Sequence, residues 1–233
     1  MRSLLRSLRA SLLLGASLCL GFVSSAQALS LADLLAPGES IVSGTLQFSE
    51  FAYSNAGDMA IAQDIMINMV VDLQGNAGIS ITGDFMDTSD SMGPSAAAIS
   101  YSVSILDSLS PSLVIESVNI QAEFVLSDLG YANLNTNVLN GSLQSIQLFS
   151  HNFGTAGSSI NSGTKVLTSP SQQINVVMDN IDAFASVSVS GPAMASITTI
   201  EQTFTVVPEP GTALLVGLGL VGLATRRRPA ASR

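Results

Sequence analysis

The sequence predicts an all-β protein, an antiparallel β-sandwich of short strands followed by a C-terminal apolar helix. Apolar and polar residues alternate with a period of two through most of residues 41–206. Clusters of Gly, Ser, Asn, Asp and Pro break that alternation at short intervals, and a separate uncharged run follows at 212–225. Alternation marks strands with one buried and one wet face, and short strands divided by turns favour two packed antiparallel sheets.

In chain order the first element is a short helix over 31–35, with Ser30 as its cap, Asp33 three residues on and Pro37-Gly38 as its stop. Strands are predicted over 41–48, 65–72, 79–85, 101–106, 113–126, 143–149, 165–167, 174–178, 184–189 and 197–206. The alternation is cleanest in Ala185-Ser186-Val187-Ser188-Val189-Ser190, where valines take one face and serines the other. Turns are expected at 54–58, 74–78, 87–94 and 133–141, and a long, mobile, small-residue loop at 152–163. No repeat of fixed period is present.

Both ends read as addresses, set apart from the fold. Arg2, Arg6 and Arg9 precede an apolar stretch at 11–23, too short for a comfortable membrane span, and Ala26-Gln27-Ala28 supplies the small residues that signal peptidase requires. Cleavage is expected after Ala28, and the absence of a paired arginine favours the Sec route. Cys19, the only cysteine, lies in this signal, so residues 29–207 have no disulfide, thiolate metal site or cysteine nucleophile. That span is long enough to bury a single unstapled core. It holds sixteen acidic residues against one base, Lys165, a balance that repels nucleic acid and anionic membrane.

No catalytic set stands out, and neither an enzymatic activity nor a cofactor is expected. His151 is the only histidine and has no nucleophile motif around it, so it reads as a surface residue. Asp84, Asp87 and Asp90 could offer a loop of oxygens to calcium, but their spacing is not that of an EF-hand, and a solvated acidic turn is the simpler reading. An aromatic sugar platform is disfavoured by the absence of Trp and the presence of only three Tyr, although polar grooves remain open. Gly217-Leu218-Gly219-Leu220-Val221-Gly222 matches a dinucleotide fingerprint by letter, yet lies in an apolar run with no room for a crossover unit.

Pro208-Glu209-Pro210 introduces the last segment, ahead of the apolar run at 212–225 and the cluster Arg226-Arg227-Arg228. Two prolines withhold backbone donors, so 208–210 is expected to join neither the strand before it nor the helix after it. Glu209 resists entry into lipid, the apolar run inserts, and the arginines stay cytoplasmic under the positive-inside rule. These three parts, in this order and together with an N-terminal signal, resemble the PEP-CTERM family. The resemblance covers 208–233 and leaves 29–207, an acidic sandwich domain, unidentified. It implies recognition by exosortase at Pro208, Glu209 and Pro210, and transient anchoring in the inner membrane of a Gram-negative bacterium. Display at the cell surface or release into the extracellular matrix would follow, with exopolysaccharide as a further expected partner. A structural role in biofilm or matrix is the first expectation for the middle domain, a glycan- or calcium-dependent binding module or adhesin the second, and a secreted hydrolase the third.

Overall fold

Most strands place apolar side chains on one face and mainly polar or small ones on the other, and the computed structural model of the chain packs two such apolar faces together. It describes residues 28–89, 93–106, 113–127, 129–153, 156–186, 193–209, 211, 215 and 217–221. The chain runs through β1 (Leu29–Ser30), helix α1 (Leu31–Leu34), β2 (Ser40–Ser43), β3 (Leu46–Ala56), a 3-10 turn (Ala62–Asp64), β4 (Met66–Val71) and β5 (Ala77–Thr88). It continues through β6 (Ser95–Ile105), β7 (Leu113–Ser127), β8 (Gly130–Leu139), β9 (Leu143–Phe153), β10 (Ala156–Ile160), β11 (Ser162–Ser171), β12 (Gln173–Ala185) and β13 (Met194–Pro208). A six-stranded sheet has the order β1-β4-β5-β13-β7-β11 and a seven-stranded sheet the order β10-β9-β8-β12-β6-β3-β2. All pairings among the described residues are antiparallel, as the sequence predicts.

β13 is the spine of the first sheet, paired to β5 on one side and β7 on the other, and β12 holds the same place in the second, between β8 and β6. Between them Phe48, Phe85 and Phe204 are buried with Ile67, Ile79, Ile99 and Ile120. Burial of each such side chain is worth ~1.5–3 kcal/mol, an upper estimate when taken from an extended chain. Phe51 stacks on Tyr101 at 5.3 Å between ring centroids, and Phe48 lies 5.6 Å from Phe204 on the opposing sheet. A polar tie crosses this core: the Tyr101 hydroxyl donates to Gln202 Oε1, and Gln202 Nε2 donates to Met178 Sδ at 3.3 Å. Burial pushes the Tyr101 phenol far above its usual range, so it remains a neutral donor.

Close approach decides one position in the spine. Gly78 pairs with Thr203, and a Cβ there would stand 1.9 Å from the Gln202 carbonyl oxygen and 2.7 Å from Thr203 Cα. Only glycine admits the backbone contact between β5 and β13 at that point. The β4–β5 turn is fixed by Asp72, which accepts from Gln74 N (2.9 Å), Asn76 N (2.8 Å) and Asn76 Nδ2 (2.8 Å) and, from across the sheet, Thr203 Oγ1 (3.1 Å). Partial burial alone would raise its carboxyl, but these donors outweigh it and hold the group below the ordinary carboxylate value.

Several predicted elements differ in extent, and bulges explain most of the differences. The predicted strand 41–48 is a hairpin, β2 and β3, turning at Gly44 with φ of 60°. In β3 the register shifts between Ser49 and Ala52, with Glu50 at φ 56°; the extra residue returns Phe51 to the core face. Predicted strands 174–178 and 184–189 are one strand, β12, whose bulge at Asp179-Asn180 breaks the period of two; β12 ends at Ala185, and Val187 to Ser190 lie outside the described residues. The predicted turn 133–141 is mostly β8, where Leu134, Thr136 and Val138 face inward, Asn135 and Asn137 are half-exposed on the other face and Asn133 is buried. The expected mobile loop 152–163 is largely strand as well. β10 completes one edge of the seven-stranded sheet, and after Asn161, whose carbonyl accepts from Ala122 N at 2.8 Å, β11 starts one edge of the other. The short helix appears as predicted, with Ser30 Oγ accepting from Asp33 N at 3.2 Å.

Three stability outcomes follow from these contacts. Thr136 is fully buried on β8 and its hydroxyl has no hydrogen-bond partner among the described residues; Thr136→Val should raise Tm by about 2–4 °C, the equivalent of ~1 kcal/mol of relieved desolvation. Gly78→Ala should act oppositely, lowering Tm by about 5–10 °C because backbone must move to admit the methyl group. For Asp72, a folded-state value below the unfolded one contributes stability above the unfolded value of ~3.9, lost as pH falls through the folded value. Asp182, whose carboxyl is raised by burial, has the opposite sign. The Tm gap between the wild type and Asp72→Asn, measured by thermal scans from pH 7 to pH 2, should therefore be widest at neutral pH and narrow in acid.

Candidate functional site

The last residues of β13 stay in register with β7 until the sorting segment begins: Val206 opposes Ile115, Val207 opposes Val114, and Pro208 opposes Leu113. Phe204 is buried and Val206 packs partly against the core, so the strand is anchored by its inward side chains four and two residues before Pro208. Pro208 thus closes the strand, whereas the sequence reading kept it out of any strand. A proline is tolerated at a strand's last position because only the pairing beyond it is lost with its missing N–H. Its side chain is exposed, Glu209 is half-buried outside any element, and Pro210 lies outside the described residues.

Beyond it, Gly211, Leu215 and residues 217–221 are helical. Leu215, Leu218, Leu220 and Val221 are all at least 60 % exposed, an apolar surface with no covering from the sandwich. No helix among the described residues is long and apolar enough to cross a membrane. Gly217 and Gly219 sit inside this helix, not in a turn between strand and helix, and so do not form a phosphate-binding loop. Arg226, Arg227 and Arg228 lie outside the described residues, as does Ala26; Ala28 is exposed immediately before β1.

Asp84 and Asp87 are not brought together. Asp84 is exposed on β5, its backbone carbonyl accepting from Ala60 N at 3.1 Å. Asp87 is buried and faces inward, accepting from Ser95 Oγ and from Ala185 N, both at 2.7 Å, so that it ties β5 of one sheet to β6 and β12 of the other. Asp58 completes the strap: its N–H donates to Ser95 Oγ at 2.8 Å, and its carboxylate accepts from Thr88 Oγ1 at 2.7 Å. Asp90 lies outside the described residues. Among the described residues no group of three or more His, Cys, Asp or Glu gathers to hold a metal. His151 is on β9 with its ring parallel to that of Phe149, centroids 6.0 Å apart.

What the sequence reading missed is the direct continuity of fold and tail. Its signal is present in Val206-Val207, an apolar pair that carries the strand up to Pro208 without a polar linker. A sequence-family model described as the PEP-CTERM protein-sorting motif matches residues 206–228, so it begins inside β13. No curated protein matches the chain. A chain whose central strand runs directly into this motif, with an apolar helix after it, is an exported, exosortase-sorted protein carrying a C-terminal PEP-CTERM protein-sorting motif.

Proposed function

We propose that the chain is a non-enzymatic structural component of the cell surface or extracellular matrix of a Gram-negative bacterium, associated with exopolysaccharide or biofilm. It is exported by the Sec route and cut by signal peptidase after Ala28. The apolar run at 212–225 then holds it in the inner membrane, with Arg226, Arg227 and Arg228 on the cytoplasmic side, until exosortase acts at Pro208, Glu209 and Pro210. The observation that supports this most is the placement of the motif. Pro208 is exposed at the end of a strand still paired to β7 on one edge, so the segment is presented at the rim of a folded body and can be reached by an enzyme. The run is shorter than the ~20 residues of a full span, and its insertion draws on the residues that flank it.

Replacement of Pro208, Glu209 and Pro210 together by alanine should block processing and leave the body folded, since Pro208 is exposed and neither it nor Glu209 takes part in the core. Alanine restores backbone donors and favours helix, so the tail helix can extend toward β13 and remove the extended segment. Unprocessed protein should accumulate in the inner membrane of a host that has exosortase. Neutral residues at Arg226, Arg227 and Arg228 should instead weaken retention and orientation before processing. Fractionation and intact-mass measurement in hosts with and without exosortase separate the two effects. Unchanged size and location of the triple-alanine variant would show that the tail is only an anchor.

A further inference from the structure

The outer face of the seven-stranded sheet brings together what the sequence scatters over more than fifty positions. His151 on β9, Tyr131 on β8 and Phe184 on β12 occupy one register row across three adjacent strands, each with its ring on the solvent side. Phe149 lies one outward position along β9, parallel to the His151 ring, in the next row with Asn133 and Asp182. Adjacent strands are ~4.8 Å apart, so the row spans about 10 Å.

The polar groups beside this row are fixed in advance. Gln147 Nε2 donates to Asn133 Oδ1 at 3.0 Å, and Asn133 in turn donates to Asp182. Further along, Asn135 and Asn137 each donate to one oxygen of Asp179, at 3.0 and 2.7 Å. Side chains that already hold one another lose little freedom when a ligand arrives. Past β12 the face drops where β6 and the adjoining stretch of β3 present small side chains: Ala98, Ser100, Ala52 and Ser54 line a shallow depression of about 210 Å³ with Val177 as its wall. The amides of Asn135 and Asn137 therefore stand beside a low trough, with the aromatic row further along the same face.

Charge and chemistry select the occupant. Asp179 and Asp182 stand on this face, and Lys165, the only Lys or Arg among the described residues, is on the other sheet. Polyanions and anionic lipid are therefore repelled. Protein interfaces deplete charge at their centres, yet here Asp182 sits beside the aromatic row. Sugar hydroxyls, by contrast, donate to carboxylates and accept from amides, and the polarised C–H faces of a sugar ring match the negative faces of aromatic rings.

We infer that this face is a binding platform for a neutral polysaccharide, with Tyr131, His151, Phe149 and Phe184 as stacking surfaces and Asp182, held by the buried Asn133, as hydrogen-bonding partner. The inference rests on the reading of the chain as a matrix-facing protein and names the partner and the site. Burial, and then the charge of Asp182, raise the Tyr131 phenol, which stays neutral as a donor.

The test is affinity electrophoresis of the protein recovered from envelope and medium of the producing bacterium, in gels containing hydroxyethylcellulose, dextran, galactomannan or alginate. Retardation by at least one neutral polysaccharide and none by alginate is expected. Tyr131→Ala with Phe184→Ala should weaken binding at least tenfold, Asp182→Asn should weaken it severalfold, and Gln121→Ala on the opposite sheet should leave it within twofold. Should the double variant fail to melt cooperatively, Phe184→Ser at an already exposed position replaces it. No retardation in any neutral gel, equal retardation of the variants, or retardation by alginate alone would overturn the platform. Fractionation of the same strains keeps the two readings apart: a failed sorting reading leaves wild-type protein in the inner membrane, whereas a failed platform leaves correctly sorted protein that ignores glucans.

Discussion

The pairing of β13 on both edges is the constraint on which the rest of the structure depends. It fixes β5 through the close approach at Gly78, fixes β7 up to the opposition of Pro208 and Leu113, and sends Gln202 and Phe204 into the core to meet Tyr101 and Phe48. β12 does the same for the other sheet. Both central strands come from the last third of the chain, and β13 pairs with a strand well over a hundred residues earlier, Phe204 lying opposite Ala77. Neither sheet can close until its spine arrives, so the fold is dominated by non-local contacts, which are slow to form because loop-closure entropy precedes the reward of pairing.

That dependence bears on the tail. Between Pro208, still paired, and Gly211, already helical, lie only Glu209 and Pro210. The sorting segment therefore begins where a paired strand of the folded body ends.

The buried polar groups divide into ties and a liability. Asp87 with Ser95, and Tyr101 with Gln202, satisfy one another between the sheets and set their relative position, because any slip would leave donors or acceptors without partners in a low-dielectric core. Thr136 has no such partner and costs stability without fixing anything among the described residues. On the outer faces the same residue types, fixed to one another by side-chain hydrogen bonds, form ordered wet surfaces in place of a featureless solvated coat.

The sequence by itself determined the all-β class, the antiparallel sandwich, the capped turn at Ser30 and the sorting motif. Each of these depends on local pattern: alternation, a cap spacing, or two prolines ahead of an apolar run and a basic cluster. Where the pattern changed phase the reading failed, as at the bulges of β3 and β12, since one extra residue reverses the faces that follow and cannot be seen without the partner strand. It failed also at β8 and β10, where Asn, Ser and Gly read as turns, although asparagines paired to Asp179 and Gln147 across strands are stable in a sheet. Only the tertiary structure decided that Asp84 and Asp87 face opposite ways, that Pro208 belongs to the spine, and that Tyr131, Phe149, His151 and Phe184 share one face. Register between strands distant in sequence is set by the packing of whole sheets, and no local pattern encodes it.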